Sequence, residues 1–314
     1  MSGATHLTGE AAYEMAMAAL GRLWPDWSGE LTPLKPLTQP LRATPFRLSG
    51  GAKPAVIKVW GPGNASKAAA QAARQEEVAL AMVTGENRGV PVFGFDTAAC
   101  ALLMQDVSGD TIDHALEETP DRLNELATRA GTWLRDYHAL SLRPAPFRPA
   151  GHIAWLEKLR TQIADGHREV ADPDRFCRLT TQICDSAMTL RKRPATKVIT
   201  HRDLTLGNLL VDDQNTLWGI DFENNREDEP LRDLFTLAVD LIGFTSNGLQ
   251  ASETYRRLTL AYGDRETDPE VHAFLFHCFA LGVWANTPAT PSKRQAKRFR
   301  VVQWMLQNPS TITG

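Results

Sequence analysis

Hydrophobic and polar positions change rhythm twice along the chain. Residues 9–23 place Ala12, Met15, Ala19 and Leu23 near helical spacing, which predicts an amphipathic helix. Residues 31–60 read as strands separated by turns. The run Ala55-Val56-Ile57-Lys58-Val59-Trp60 is the strongest strand signal of the first third, and Gly61-Pro62-Gly63-Asn64 closes it. The Ala-, Gln- and Glu-rich stretch 65–84 predicts a long helix, and Val90 to Phe95 and Ala99 to Gln105 predict two short strands. After Ser108-Gly109-Asp110 helical periodicity takes over, at Thr111–Glu118, Asp121–Leu140, Ile153–Gly166 and Asp174–Arg191. A patch of strand and loop at 196–223 interrupts it, and from Leu231 the pattern is helical again. The predicted fold class is α+β. Residues 1–107 form a small β-rich lobe with one main helix and an N-terminal helix, and residues 108–314 a larger, mostly helical lobe.

Composition narrows the function classes. At 314 residues the chain exceeds a usual single core, in keeping with two lobes. It is 43% hydrophobic and 23% charged, as ordinary globular proteins are, and its net charge of −3 gives no basic nucleic-acid surface. Cys100, Cys177, Cys184 and Cys278 form no CxxC pair, so neither a zinc site nor a disulfide framework is indicated. Glu10 and Glu14 interrupt the first apolar run, which has no basic start and so is not a signal peptide. No stretch approaches the ~18 apolar residues of a membrane span. The expectation is a cytoplasmic protein with reduced thiols and neither a nucleic-acid nor a membrane partner.

The chemistry is concentrated in Val198-Ile199-Thr200-His201-Arg202-Asp203-Leu204-Thr205-Leu206-Gly207-Asn208, followed by Ile220-Asp221-Phe222-Glu223. Asp203 and Asn208 lie five apart on a loop between two strand signals. Asp221 closes the next strand, and a hairpin between them brings Asn208 and Asp221 together. Taken singly, these residues are turn formers or caps. Together they are what phosphoryl transfer needs, because that transition state spreads charge over phosphate oxygens and is stabilised by positioning and cations. Mg²⁺ takes oxygen ligands and keeps several waters, a demand Asn208 and Asp221 meet. Asp203 is placed to meet an attacking hydroxyl.

The pattern HRDxxxxN followed by IDFE resembles the protein-kinase-like superfamily, and most closely its aminoglycoside phosphotransferase and choline kinase branch. Arg202 departs from that branch, which usually has glycine there. The resemblance implies a bilobal protein-kinase-like fold, ATP and Mg²⁺ as cofactors, and a small molecule with a hydroxyl as acceptor. It makes Asp203 the catalytic residue and Asn208 and Asp221 the metal ligands. It implies that Lys58, on the third strand, holds phosphates and pairs with a glutamate of the next helix. The Glu-x-x-x-Leu pattern selects Glu76 for that pairing, with Glu77 as the alternative. Adenine is expected to meet backbone groups of Gln105 and Val107. Asp233 is expected to brace the catalytic loop, and His201 to hold the backbone near the metal aspartate.

Two features depart from the family pattern or narrow it. The phosphate loop expected near Leu37-Thr38-Gln39-Pro40-Leu41-Arg42-Ala43-Thr44 contains no glycine, leaving Thr38, Gln39, Arg42 or Thr44 as compensating contacts and a weak or non-catalytic nucleotide binder as the alternative reading. Only nine residues separate Asp221 from Leu231, too few for the activation segment of a protein kinase. The acidic run Glu223 to Glu229 suggests an amine-bearing acceptor or, alternatively, a solvated loop. Its carboxylates are also the expected partners of Arg202. Trp284, Phe299 and Trp304 are either pocket walls or core.

Overall fold

The structure, a computed structural model, describes residues 6–263 and 267–309. The start of the chain, on which the signal-peptide reading partly rests, lies outside the described residues at positions 1–5. The chain divides into two compact units, Met1–His114 with Gly207–Asn225, and Ala115–Leu206 with Arg226–Gly314. Residues 207–225, placed in the second lobe by the sequence pattern, thus group with the first unit.

In the first unit, α1 (Gly9–Leu23) begins where the Thr8 side chain accepts the Ala11 amide. Strands β1 (Leu31–Pro33), β2 (Ala43–Leu48) and β3 (Ala55–Trp60) form an antiparallel run. Helix α2 (Ala65–Ala81) follows, then β4 (Asn87–Gly89), β5 (Val92–Asp96), β6 (Ala101–Gln105) and β7 (Gly109–Thr111). The main sheet has the order β1-β2-β3-β6-β5. Its central strand β3 is apolar on both faces because both are covered. Ile57 and Val59 pack with Phe46 and Leu103 under the Ala12, Ala16, Ala19 stripe of α1, while Trp60 packs with Leu102, Ala68 and Ala72. Lys58 alternates onto the Trp60 face, and its Nζ lies 4.9 Å from the Trp60 ring centroid.

The second unit opens with α3 (Ile112–Glu118), which starts in the first, and continues with α4 (Leu123–Ala139), β8 (Arg143–Pro146), α5 (Ala150–Ala164), α6 (Pro173–Ala187) and β9 (Pro194–Ile199). The chain then returns to the first unit for β10 (Leu209–Asp212) and β11 (Leu217–Gly219). A second sheet, β4-β11-β10-β7, is closed by this hairpin, with β4 and β11 parallel. Back in the second unit come β12 (Glu227–Asp228), α7 (Leu231–Ile242), α8 (Gly248–Tyr262), α9 (Pro269–Ala285) and α10 (Lys293–Gln307). A small sheet, β12-β9-β8, keeps Pro144 and Pro146 on its edge strand, where a missing amide costs no ladder bond. Helices α4 and α8 pack closely enough that a Cβ at Gly131 would sit 2.3 Å from the Leu258 carbonyl oxygen. All four cysteines are free thiols. Among the described residues no helix is long and apolar enough to cross a membrane.

Candidate active site

In the first unit a cavity of about 410 Å³ is lined by residues from well-separated segments. Lys58 comes from β3, Asn208 and Asp221 from the two ends of the β10–β11 hairpin, and Gln105 and Val107 from the end of β6 and beyond. The hairpin register explains the meeting of 208 and 221. Leu209 faces Gly219, and the Ile220 amide donates to the Asn208 carbonyl at 3.1 Å. Apolar side chains, among them Val56, Leu102, Leu210 and Ile220, make up much of the rest of the wall. The Gln105 amide is committed to the Pro91 carbonyl at 2.9 Å.

Asp221 holds a left-handed backbone conformation, φ +71°, uncommon for a residue with a Cβ and typical of constrained sites. Its Oδ1 accepts from both Lys58 Nζ and Gln71 Nε2. Its amide donates to Gln75 Oε1 at 3.2 Å, and Gln75 Nε2 donates to the Val90 carbonyl at 2.9 Å. Gln71 and Gln75, i and i+4 on α2, therefore stand where a glutamate was expected.

Glu76 is not brought to Lys58. It lies on the exposed face of α2, and so does Leu80, 72% exposed and four residues on. Glu77 is also exposed and pairs with Arg74 at 2.7 Å. The physical reason is helical phase. Burial of Ala68, Ala72, Val78 and Ala79 turns Gln71 and Gln75 inward and places 76 and 80 on the opposite stripe. The glycine-free connection also differs from expectation. Leu34 and Lys35 line the cavity, whereas Thr38, Gln39 and Arg42 do not, and Thr44 is buried within β2.

Asp203 belongs to the second unit, on the exposed loop after β9; the chain passes to the first unit between Leu206 and Gly207. That loop is fixed from inside its own unit. Asp233, fully buried in the first turn of α7, accepts the amides of His201 at 2.6 Å and Arg202 at 2.9 Å. His138 Nε2 lies 3.1 Å from the same carboxylate, and its Nδ1 is 2.9 Å from the Tyr262 hydroxyl. Burial pushes Asp233 up, but the bonds and charge of His138 and His201 outweigh it and hold the carboxyl below its usual range. Arg202 is left-handed at φ +66°. This is a conformation that favours glycine, which explains why an arginine here stands out in the motif.

The acidic run is not an open cation site. Glu223 pairs with Lys67 at 2.7 Å and Glu227 with Arg143 at 2.6 Å. Asp228 pairs with Arg232 at 2.5 Å, and buried Glu229 with Lys197 at 2.5 Å and His152 at 3.3 Å. None of them takes Arg202, contrary to the sequence expectation. Trp284 is core, fully buried between Phe176 and Phe299 with its Nε1 donating to the Ala171 carbonyl.

An antiparallel sheet with a nucleotide-sized cavity in one unit, and a mostly helical second unit carrying an HRD loop, define the fold of a kinase-like phosphotransferase. A family model described as "Phosphotransferase enzyme family" matches residues 34–275, and the chain belongs to that family. Among solved structures, it is similar to a choline/ethanolamine kinase family protein from Mesorhizobium loti, at 19% identity and TM-score 0.56 over 96% of this chain and 97% of that one. It is similar to choline kinase LicA from Streptococcus pneumoniae, at 17% identity and TM-score 0.57 over 94% and 99%. Spectinomycin phosphotransferase, solved in complex with ADP and spectinomycin, aligns at 13% identity and TM-score 0.54 over 94% of this chain and 93% of that one. At these identities the likeness establishes the fold. Among curated proteins no sequence match is found. The family expected from the HRDxxxxN and IDFE motifs is thus borne out.

Proposed function

We propose that the chain is an ATP- and Mg²⁺-dependent kinase that transfers the γ-phosphoryl group to a hydroxyl of a small molecule. The observation that carries this reading is the gathering of Lys58, Asn208 and Asp221 around one cavity with apolar walls. In this reading adenine lies against Val56, Leu102, Leu210 and Ile220, with the Gln105 carbonyl and Val107 backbone at its edge. Lys58 holds phosphate oxygens, and Lys35 at the same cavity adds a second cation.

Asn208 and Asp221 offer an amide and a carboxylate oxygen, the hard donors that suit Mg²⁺, which needs no full protein cage. Bound there, Mg²⁺ would neutralise charge on the phosphates. Asp203 orients the acceptor hydroxyl and takes its proton. The acceptor oxygen forms a bond to Pγ as the bond from Pγ to the bridging oxygen breaks, and ADP leaves with that oxygen.

The test is Asp203→Ala. ATP binding should persist, while acceptor-stimulated ADP release falls by about 10²–10⁴-fold, the usual contribution of a positioned base. Turnover at the parent rate would remove Asp203 from the assignment.

A second reading, a nucleotide-binding protein with little or no transfer activity, is favoured by two observations: the glycine-free connection before β2 and, among the described residues, the absence of a glutamate beside Lys58. Mg²⁺-dependent ATP hydrolysis and a broad acceptor panel separate the two. ATP binding with no turnover on any acceptor favours the binder.

A further inference from the structure

The second unit contains its own cavity, about 350 Å³, which the nucleotide reading does not use. Its wall carries three arginines from distant segments: Arg202 beside Asp203, Arg232 in the first turn of α7, and Arg298 in α10. Phe235, Phe279 and Trp155 supply an apolar side. Among the described lining residues there is no aspartate or glutamate.

The carboxylates that balance these arginines stand outside the lining. Asp228 pairs with Arg232, and Asp240 lies 2.9 Å from Arg298 and 3.5 Å from Arg294. Four arginines thus meet two carboxylates. Arg202 makes no ion pair among the described residues, and its backbone amide alone is tied, to Asp233. Arg232 is also stacked, its guanidinium 4.8 Å from the Phe279 ring centroid.

A wall of planar N–H donors with surplus positive charge and no acceptor carboxylate selects oxyanions, because guanidinium groups match carboxylate and phosphate geometry and are never deprotonated. It disfavours an ammonium ion for the same reason. The left-handed backbone at Arg202 points the same way. A side chain is kept at a position where glycine sits more comfortably, and the cavity is what that side chain reaches.

We propose that this cavity binds an oxyanionic group, a carboxylate or a phosphate, on the acceptor, so that the substrate is a hydroxylated acid rather than an amine. The inference rests on the phosphotransferase reading for the word acceptor, but the binding it describes is independent of catalysis. Arg202 and Arg232 grip the acid, the aromatic side packs its carbon skeleton, and the adjacency of Arg202 to Asp203 ties the grip to the hydroxyl end.

The experiment titrates the full chain, by calorimetry without nucleotide, with probes matched in skeleton and differing in charge. 3-Phenyllactate and glycerol 3-phosphate are the carboxylate and phosphate arms. 3-Phenylpropane-1,2-diol and glycerol are their neutral counterparts, and 3-aminopropane-1,2-diol is the cationic arm. One acidic probe should bind at least tenfold more tightly than its neutral counterpart, and which one does so identifies the group. Arg202→Gln should weaken that probe at least fivefold. This variant keeps the backbone bond to Asp233 and removes no described ion pair, so it tests the cavity where Arg232→Gln could instead disturb folding. Acidic probes binding no better than neutral ones, the cationic probe binding best, or Arg202→Gln leaving the acid affinity intact each overturn the inference. ATP binding is measured on the same preparation. Its absence defeats the phosphotransferase reading, whereas its presence with no preference for acids defeats this inference alone.

Discussion

The two cavities settle their charges in opposite ways. In the first unit a cation and an anion face each other inside the cavity, Lys58 against Asp221, with Gln71 donating to the same carboxylate and Gln75 accepting the Asp221 amide. In the second unit the carboxylates stand behind the wall and the arginines are left to face inward. The first arrangement is one that a metal-bound polyphosphate exchanges into, since it carries charges of both signs. The second is already polarised and waits for one sign. A lysine paired with an aspartate is a movable point charge, while a stacked guanidinium is a fixed fork.

The sharpest way to break this contrast is at the brace of the second unit. Asp233→Ala leaves two backbone amides and His138 without their buried acceptor, and should cost about 3–5 kcal/mol of stability. Chemical denaturation measures it, and a loss below that range would show that water replaces the carboxylate. The next break is in the first unit. Lys58→Met should lower turnover by about 10²–10³-fold, the scale of one lost electrostatic contact to the transferring group. The second unit's preference among acceptors should stay the same, which the probe titrations can check.

Gln75→Leu and Glu76→Ala sharpen the comparison on a single helix. Gln75 satisfies the Val90 carbonyl and the Asp221 amide, so its loss should cost about 1–3 kcal/mol, whereas the exposed Glu76 should cost almost nothing. Chemical denaturation compares the two, and a loss of ATP affinity in Glu76→Ala would restore Glu76 as a candidate partner.

Acidification bears on both units, since in the first the Arg22 hydrogen bond holds Asp96 low and, against its burial, Trp218 and backbone amides hold Asp212 low. Asp233 and Glu229, both in the second unit, are held below the ordinary carboxylate range, Asp233 by the histidines that outweigh its burial, Glu229 by His152 and its neighbours against the same opposing effect. A folded-state pKa below the unfolded one stabilises above the unfolded value, and that contribution fades as pH falls. The denaturation midpoint should therefore drop between about pH 5 and pH 3. A midpoint flat through that range would contradict the sign.

A small effect is also expected of Arg202→Gly. Relief of the left-handed backbone favours the variant, and the freedom glycine gains in the unfolded chain offsets part of it. The melting midpoint should move by no more than about 1 kcal/mol equivalent. A large loss would mean that the arginine side chain contributes to the folded state beyond its lining of the cavity.

Much of this architecture was readable in the chain. Helix 9–23 and strand 55–60 emerge with the boundaries their periodicity marks, since each has a buried stripe and a capping or breaking signal at its ends. The hairpin meeting of Asn208 and Asp221 was equally legible, because it is local. What was not legible depended on helix phase or on distance along the chain. In α2 the small alanines give little contrast between faces, and Leu80 is an apolar residue on the wrong side, so the Glu-x-x-x-Leu stripe misleads. Lys35 carries no signal at all. The arginine cavity draws on residues 202, 232 and 298, and nothing in any one segment announces the other two. The acidic run illustrates the converse, a local feature whose meaning changes once Lys67, Arg143, Lys197 and Arg232 arrive from elsewhere.

The hairpin that supplies Asn208 and Asp221 sets a timetable for biosynthesis. The five-stranded sheet is complete once Gln105 has been made, but β4 and β7 gain their neighbours only when β10 and β11 emerge. About a hundred residues lie between β7 and that hairpin, a wait of roughly 5–20 s on the ribosome. For that interval the nascent chain carries a sheet edge and a half-walled cavity into the cell, so an expression fragment stopped before residue 219 should recover poorly even though its largest sheet is intact.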